Sequence, residues 1–224
     1  MTEKKHHLGL DIKVTETFYD EAQTQVHTVY YENELGYAQQ WVYYEDGILQ
    51  SVINYKNGKL HGDRYEYYPT GELKEYAEYI NGLLDGRMQH FDIQGCLREE
   101  CDYLNGQKHG CYISYFSNHR IQKLYIYTHD QPDGQCTEKY ENGCLKEQHF
   151  YKKGIPHQKS EFFNEEGVLI RKILYHQGNK LYEEYLGDKG ERIVRFFKPS
   201  GLVSASSKDK KQPMFHRHNR ENDM

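Results

Sequence analysis

Apolar and polar residues alternate along the chain in short bursts, each about the length of a strand. Between Leu73 and Tyr79, the residues Leu73, Glu75, Ala77 and Tyr79 fall on one side of an extended backbone, and Lys74, Tyr76 and Glu78 on the other. A helical period finds little support, because Gly or Pro interrupts most windows of about a dozen residues within the array. Two kinds of turn signal bracket the bursts. One is Pro69-Thr70-Gly71, echoed by Glu45-Asp46-Gly47 and Glu165-Glu166-Gly167. The other is Asn-Gly, at Asn57-Gly58, Asn81-Gly82 and Asn105-Gly106. Asn-Gly tolerates the positive φ that a two-residue hairpin turn demands, so each burst pairs with the next as a hairpin.

The bursts recur at a period of 24 residues. Tyr31, Tyr55, Tyr79, Tyr103, Tyr127, Tyr151 and Tyr175 form one column. Leu49, Leu73, Leu97, Ile121, Leu145 and Leu169 form a second, and Gly47, Gly71, Gly95, Gly143 and Gly167 a third, broken only at His119. Such a comb predicts a tandem array in which each unit buries its apolar side against its neighbours. A further column, Tyr19, Tyr43, Tyr67, Phe91, Tyr115 and Phe163, is assigned to the buried side together with the Leu and Tyr columns; Lys139 is its exception. The predicted fold is all-β, an elongated single sheet of stacked antiparallel β-hairpins. Residues 1–18 form an N-terminal segment or cap, 19–202 the array, and 203–224 a polar tail expected to be disordered. The first unit is worn, with Gln23 and Ala38 at glycine positions. Gly190, Phe197 and Gly201 mark a partial eighth unit.

Composition sharpens this picture. Mean hydropathy is −0.99, yet 14% of the chain is aromatic and 22 residues are Tyr, which points to a folded, Tyr-rich protein. A net charge of −5 argues against nucleic acid, whose phosphates need clustered Lys and Arg. No apolar run is long enough to span a membrane as a helix, and Met1 to Val14 has no signal-peptide core. The five cysteines form no C-x-x-C pair. Cys96 and Cys144, two units apart, would be separated by about 19 Å, too far to bridge. Reduced thiols and a cytoplasmic location are the expectation.

The pattern Y-x-x-G-x-L-x-x-x-x-x-Y-x-N-G-x-x-x-G, carried by Tyr68 through Gly86, resembles the variant MORN repeat. More narrowly it is similar to bacterial antitoxins of the YwqK type. The resemblance implies an elongated stack of hairpins that serves as a binding scaffold, with a toxin as partner, and it supplies no catalytic residue. His119, Asp130 and Gln158 depart from the pattern and put the turn geometry of the middle units in question.

Candidate chemistry is sparse. The column His61, Asp85, His109, Asp133 and His157 has metal-ligand residue types. Equivalent positions in adjacent hairpins, however, lie about 10 Å apart, whereas ligands of one metal lie about 2 Å from it. These side chains are therefore read as partners of turn backbone groups, and no metal or cofactor is expected. Cys111, two residues from His109, is a weak nucleophile candidate; Cys101 reads as core. What remains is surface. Tyr44, Tyr68, Phe116 and Tyr140 sit one residue out of phase with the buried column, and Tyr76, Ile126 and Phe150 occupy outward strand positions beside Leu124, Ile170 and Leu174. Aromatic ladders of this kind anchor protein interfaces or pack across strands. The reading is a non-enzymatic protein-binding array with a basic toxin as one candidate partner. A lipid-associated scaffold is the alternative, which the chain's acidic balance disfavours. Self-association through the sheet ends stays open.

Overall fold

The computed structural model describes residues 2–7, 10–20, 25–187 and 190–198. Gln23, Gly201 and the tail 203–224 lie outside the described residues. The strands are β1 (Thr2–His7), β2 (Leu10–Phe18), β3 (Val26–Asn33), β4 (Tyr37–Tyr43), β5 (Leu49–Lys56) and β6 (Lys59–Tyr67). They continue as β7 (Leu73–Ile80), β8 (Leu83–Phe91), β9 (Leu97–Leu104), β10 (Gln107–Tyr115) and β11 (Ile121–Thr128). The last are β12 (Gln131–Pro132), β13 (Gly134–Lys139), β14 (Leu145–Lys152), β15 (Ile155–Pro156), β16 (Gln158–Phe163), β17 (Leu169–His176), β18 (Asn179–Leu186) and β19 (Arg192–Phe196). Chain neighbours pair antiparallel throughout. β12 and β13 both pair with β11, and β15 and β16 both with β14, so each couple is one strand broken at Asp133 or His157. The result is a single open antiparallel sheet, with no helix among the described residues. β1 and β2 extend the ladder ahead of the first repeat column.

The Asn-Gly turns have positive φ at both central residues, 52° at Asn81 and 90° at Gly82, as a two-residue turn between right-twisted strands requires. Non-glycine substitutes keep a positive φ at other glycine positions too, Asp130 in an Asn-Gly-type turn, His119 in the loop after β10 and Gln158 at the start of β16. His119 and Asp130 sit at 63° and Gln158 at 61°, so the turns of the middle units survive their departures from the pattern. Each such residue bears a backbone strain of about 1–2 kcal/mol. The turns also link successive units. The N–H of Gly82 donates to the Leu60 carbonyl, that of Gly106 to Leu84, and that of Asp130 to Lys108.

Register sorts the side chains onto two faces. Ala77 lies opposite Arg64 and Met88, Cys101 opposite Met88 and Tyr112, and Ser160 opposite Ile173. On this Ala77 face the sealed positions are small or variable: Ala77 and Cys136 are 0% exposed, while Cys101 and Ile173 are nearly so. The large columns assigned to the interior (Tyr43, Tyr67, Phe91, Tyr115, Phe163 and most of the Leu and Tyr columns) are only half-buried, and Tyr19 and Ile121 are exposed. The cause is geometric. A one-layer sheet has no second layer to receive large side chains, so these lie over their small neighbours and seal them instead. The first unit also differs from the comb. Tyr31 opposes Gln39, which opposes Asn54, so Tyr31 faces away from Tyr55. Tyr30 takes the expected side, with its ring 6.3 Å from that of Tyr55. The loop Asn33–Gly36 is responsible: it is longer than Asn-Gly, and the Asn33 side chain accepts the N–H groups of Leu35 and Tyr37. A one-residue shift swaps the faces of a strand.

Candidate functional site: the Tyr76 face

Each wide loop opens on a residue whose backbone closes it. In the loop after β6, the Tyr68 N–H donates to the Glu72 carbonyl and the Gly71 N–H to the Tyr68 carbonyl. The Tyr68 ring then reaches the next unit, where its hydroxyl donates to the Phe91 carbonyl at 2.9 Å. Tyr44 does the same to Tyr67 at 2.8 Å, and Tyr140 to Phe163 at 2.9 Å. Three of the out-of-phase residues are thus latches between units at the sheet margin, half-buried and with their hydroxyls committed. Phe116 holds the same position without a hydroxyl.

Tyr76, Ile126 and Phe150 lie elsewhere, on the sheet face opposite Ala77. Tyr76 opposes Tyr65, with ring centroids 5.2 Å apart, and its hydroxyl lies 3.0 Å from Asp63 and 2.9 Å from Glu78. Burial, then the bonds to Glu78 and Asp63, push its phenol above the ordinary tyrosine value. Gly86 makes room for this cluster, since a Cβ there would come within 2.0 Å of the Glu78 carboxylate. Two open grooves of about 500 Å³ each flank the cluster. One runs between Tyr31, Gln39, Asn54 and Asp63, the other between Glu78, Arg87, Gln89 and Asp102.

Farther along the same face the chemistry changes. Ile126 lies opposite Cys111, Phe150 opposite Gln135, and Leu174 opposite Lys159 and Tyr182. These three occupy one structural column, whose earlier members are Asn54, Glu78 and Asp102. Leu124, opposite Ile113, adds to the apolar half. The column is polar through the first three of these units and apolar through the last three. The sequence reading found the outward apolar residues but set them together with the loop tyrosines. The structure separates the two groups.

The His/Asp column behaves as a turn partner. Asp85 accepts the Asn105 N–H at 3.0 Å, and His61 the Asn81 N–H at 3.4 Å. His109 instead packs edge-on against His129, with centroids 5.1 Å apart, and its buried Nδ1 has no hydrogen-bond partner. Among the described residues, no three His, Cys, Asp or Glu side chains gather as a metal site. Cys101 is a sealed core thiol whose pKa burial pushes up to about 11. A different Cys–His pair from the one weighed in the sequence comes together across two loops: Cys96 Sγ and His119 Nε2 lie 3.9 Å apart. Neither residue announces the other in sequence, because the contact exists only once the loops are stacked.

Comparison with known families agrees with the hairpin geometry. The MORN repeat variant matches residues 42–57, 60–81 and 132–153, which cover Asn-Gly and wide-loop hairpins of the array. These matches support a protein built of MORN-type repeats. No curated protein matches the chain.

Proposed function

We propose that this array of MORN-type hairpins is a non-enzymatic protein-binding scaffold whose occupant sits on the C-terminal half of the Tyr76 face. One observation carries the reading. The column of Ile126, Phe150 and Leu174 accepts Asn54, Glu78 and Asp102 in equivalent hairpins, so the fold does not require apolar residues there. The array acts as its own control: half-buried apolar side chains that folding does not demand are what a protein interface uses. The finer form of the proposal is a cytoplasmic antitoxin or immunity protein covering a basic toxin. The resemblance to YwqK-type antitoxins and the acidic wide loops support that form, and opposite charge would speed capture. Affinity capture by the full chain from its native lysate tests it, with Ile126→Glu/Phe150→Glu as the comparison. A partner that is retained by the parent chain and lost by the variant is expected, together with rescue from a co-expressed toxin. Equal retention by both would remove the Tyr76 face from the proposal.

A second reading has its own observation. Composition hides a partly basic margin: the Asn-Gly side of the sheet exposes Ile80, Leu83, Leu104 and Ile155 near Lys59, Lys152 and Lys153. Lysines interleaved with apolar tips suit an anionic lipid surface. No helix in the described residues is long and apolar enough to cross a membrane. Co-sedimentation with phosphatidylserine vesicles, lost in Lys152→Glu/Lys153→Glu, would favour this reading over the first.

A further inference from the structure

Antiparallel pairing places the wide loops on one margin of the sheet and the Asn-Gly-type turns on the other, and the two margins carry opposite charge. The wide loops expose Glu45, Asp46, Glu72, Glu141, Glu165 and Glu166, none of them ion-paired among the described residues. Asp92 is held by Arg98, and among the described residues the one Lys or Arg in these loops is Arg120. The opposite turns carry Lys56, Lys59, Lys152 and Lys153, and their described acidic residues are Asp130 and, in the longer Asn33–Gly36 loop, Glu34.

Opposite charges also meet at three positions, while Glu72 and Glu165–Glu166 meet turns without Lys or Arg. Each wide loop lies one strand, about 4.8 Å, from the next turn along the array. The Glu45–Asp46 loop is followed by the Lys56–Lys59 turn, and the Arg120 loop by the Asp130 turn. The Glu141 and Glu165 loops lie on either side of the Lys152–Lys153 turn. The neutral loop position at Ile93 is followed by the neutral turn at Leu104, both exposed. The exception, Arg120, thus meets an exception, Asp130.

We infer that the two margins dock on each other between copies, so that a second copy of this chain lies alongside the first, parallel and displaced by one strand. The antiparallel alternative is disfavoured by the same residues. Setting Glu45–Asp46 against Lys152–Lys153 in that sense also sets Glu141 against Lys56–Lys59, but it brings Glu72 onto Asp130 and loses the Arg120–Asp130 match, leaving Arg120 against Ile80 and Leu83. Both margins belong to the same hairpins, so their pitch is identical and the contact repeats along the array. Twisted ribbons keep such a contact by coiling about one another. The margins differ, which makes the contact heterologous and its growth open-ended. This inference is independent of the occupant proposed for the Tyr76 face.

Sedimentation velocity of the full chain over a concentration series, at about 0.02 M and about 0.5 M salt, reads it out, since the screening length shortens several-fold between those conditions. Expected is a mass that grows with concentration at low salt and falls back to the monomer at high salt. Glu141→Lys/Glu165→Lys makes the two loops that flank the Lys152–Lys153 turn locally more basic, and Lys152→Glu/Lys153→Glu makes the turn between the Glu141 and Glu165 loops acidic. Each variant alone should associate about tenfold or more weakly, and an equimolar mixture of the two should associate again. A monomer under all conditions, association indifferent to either reversal, or a mixture that stays apart would each overturn the inference. So would a monomer whose Lys152–Lys153 turn serves only to pellet with anionic vesicles.

Discussion

Ala77 and Tyr76 are neighbours in the chain but look out from opposite faces of one sheet, and the two faces tolerate different things. Down the Ala77 side the sealed positions are Ala77, Cys101, Cys136 and Ile173, closed over by half-buried Tyr and by charged side chains in ion pairs. Arg64 lies between Glu66 at 2.8 Å and Glu75 at 2.5 Å, and Glu138 between Lys146 at 2.6 Å and Lys123 at 3.5 Å. Down the Tyr76 side, one column passes from Asn54, Glu78 and Asp102 to Ile126, Phe150 and Leu174 with no change in the hairpins that carry it. From Ala77 onward the sheet seals its small residues on one side and lets the other vary, whereas in the first units Val29 and Val52 are sealed on the Tyr76 side as well. Variation within the array is what the proposed binding side rests on.

The comparison breaks first if the phase of the array is broken. Excising residues 67–90 keeps every column in register and should leave a shorter folded array. Excising 67–78 removes half a period and reverses the strand order, so the cooperative melt should vanish. Circular dichroism with thermal melts checks both, and equal outcomes for the two deletions would refute the hairpin stack. Next in size, Ala77→Phe overfills a sealed site and should cost about 1–3 kcal/mol, whereas Gln89→Ala on the other face should stay within about 0.5 kcal/mol. Denaturant unfolding reads both.

A smaller effect comes from charge. Burial alone would raise the Glu138 carboxyl, but Lys146 and Lys123 outweigh it and hold it below the usual glutamate range. Its stabilising contribution is therefore present above the unfolded value near 4.5 and is lost as pH falls through the lower folded value. Glu138→Gln should cost about 1 kcal/mol at neutral pH and flatten the acid limb of the stability curve. At the other extreme, burial and then neighbouring groups push Tyr103 and Tyr115 up to about 12. Raised values stabilise below the unfolded value of 10.0 and lose that contribution as pH rises towards 12, so tyrosinate absorbance should appear together with unfolding. The smallest effect sits at the margin latches. Tyr68→Phe deletes the bond to the Phe91 carbonyl and should cost about 1 kcal/mol, while Phe116→Tyr adds a hydroxyl at the equivalent place and should gain less than that.

Much of this was legible in the residue order. The columns at 24 residues and the Asn-Gly pairs gave the hairpins and their stacking, since turn chemistry is local. The interior was harder to read. The eye follows the large repeated residues, whereas the column that holds the sealed Ala77, Cys101 and Ile173 runs Ile53, Ala77, Cys101, Tyr125, His149, Ile173 and has no repeating residue type beyond Ile. Size cannot identify a core that large side chains cover from above. The latch role of Tyr44, Tyr68 and Tyr140 was hidden because each acceptor carbonyl lies 23 residues away and the pairing exists only in the folded stack. The displacement of Tyr31 depended on a longer loop at Asn33–Gly36, a feature that a fixed period cannot express. Ile126 and Phe150 were found by alternation alone, but their polar counterparts at Glu78 and Asp102 gave them meaning only after register had aligned the column.

The central claim is that one face holds the array and the other serves a partner, and adjacent residues test it most directly. Tyr125 faces Tyr112 across the Ala77 side, with ring centroids 6.0 Å apart, while Ile126 belongs to the apolar column opposite. The difference in melting temperature between Tyr125→Glu and Ile126→Glu is the measurement. The account predicts a loss of several degrees for Tyr125→Glu, whose new carboxylate would lie half-buried near Glu138 and Glu147, and a loss of about 2 °C or less for Ile126→Glu. Equal losses, or the larger loss at Ile126, would contradict it.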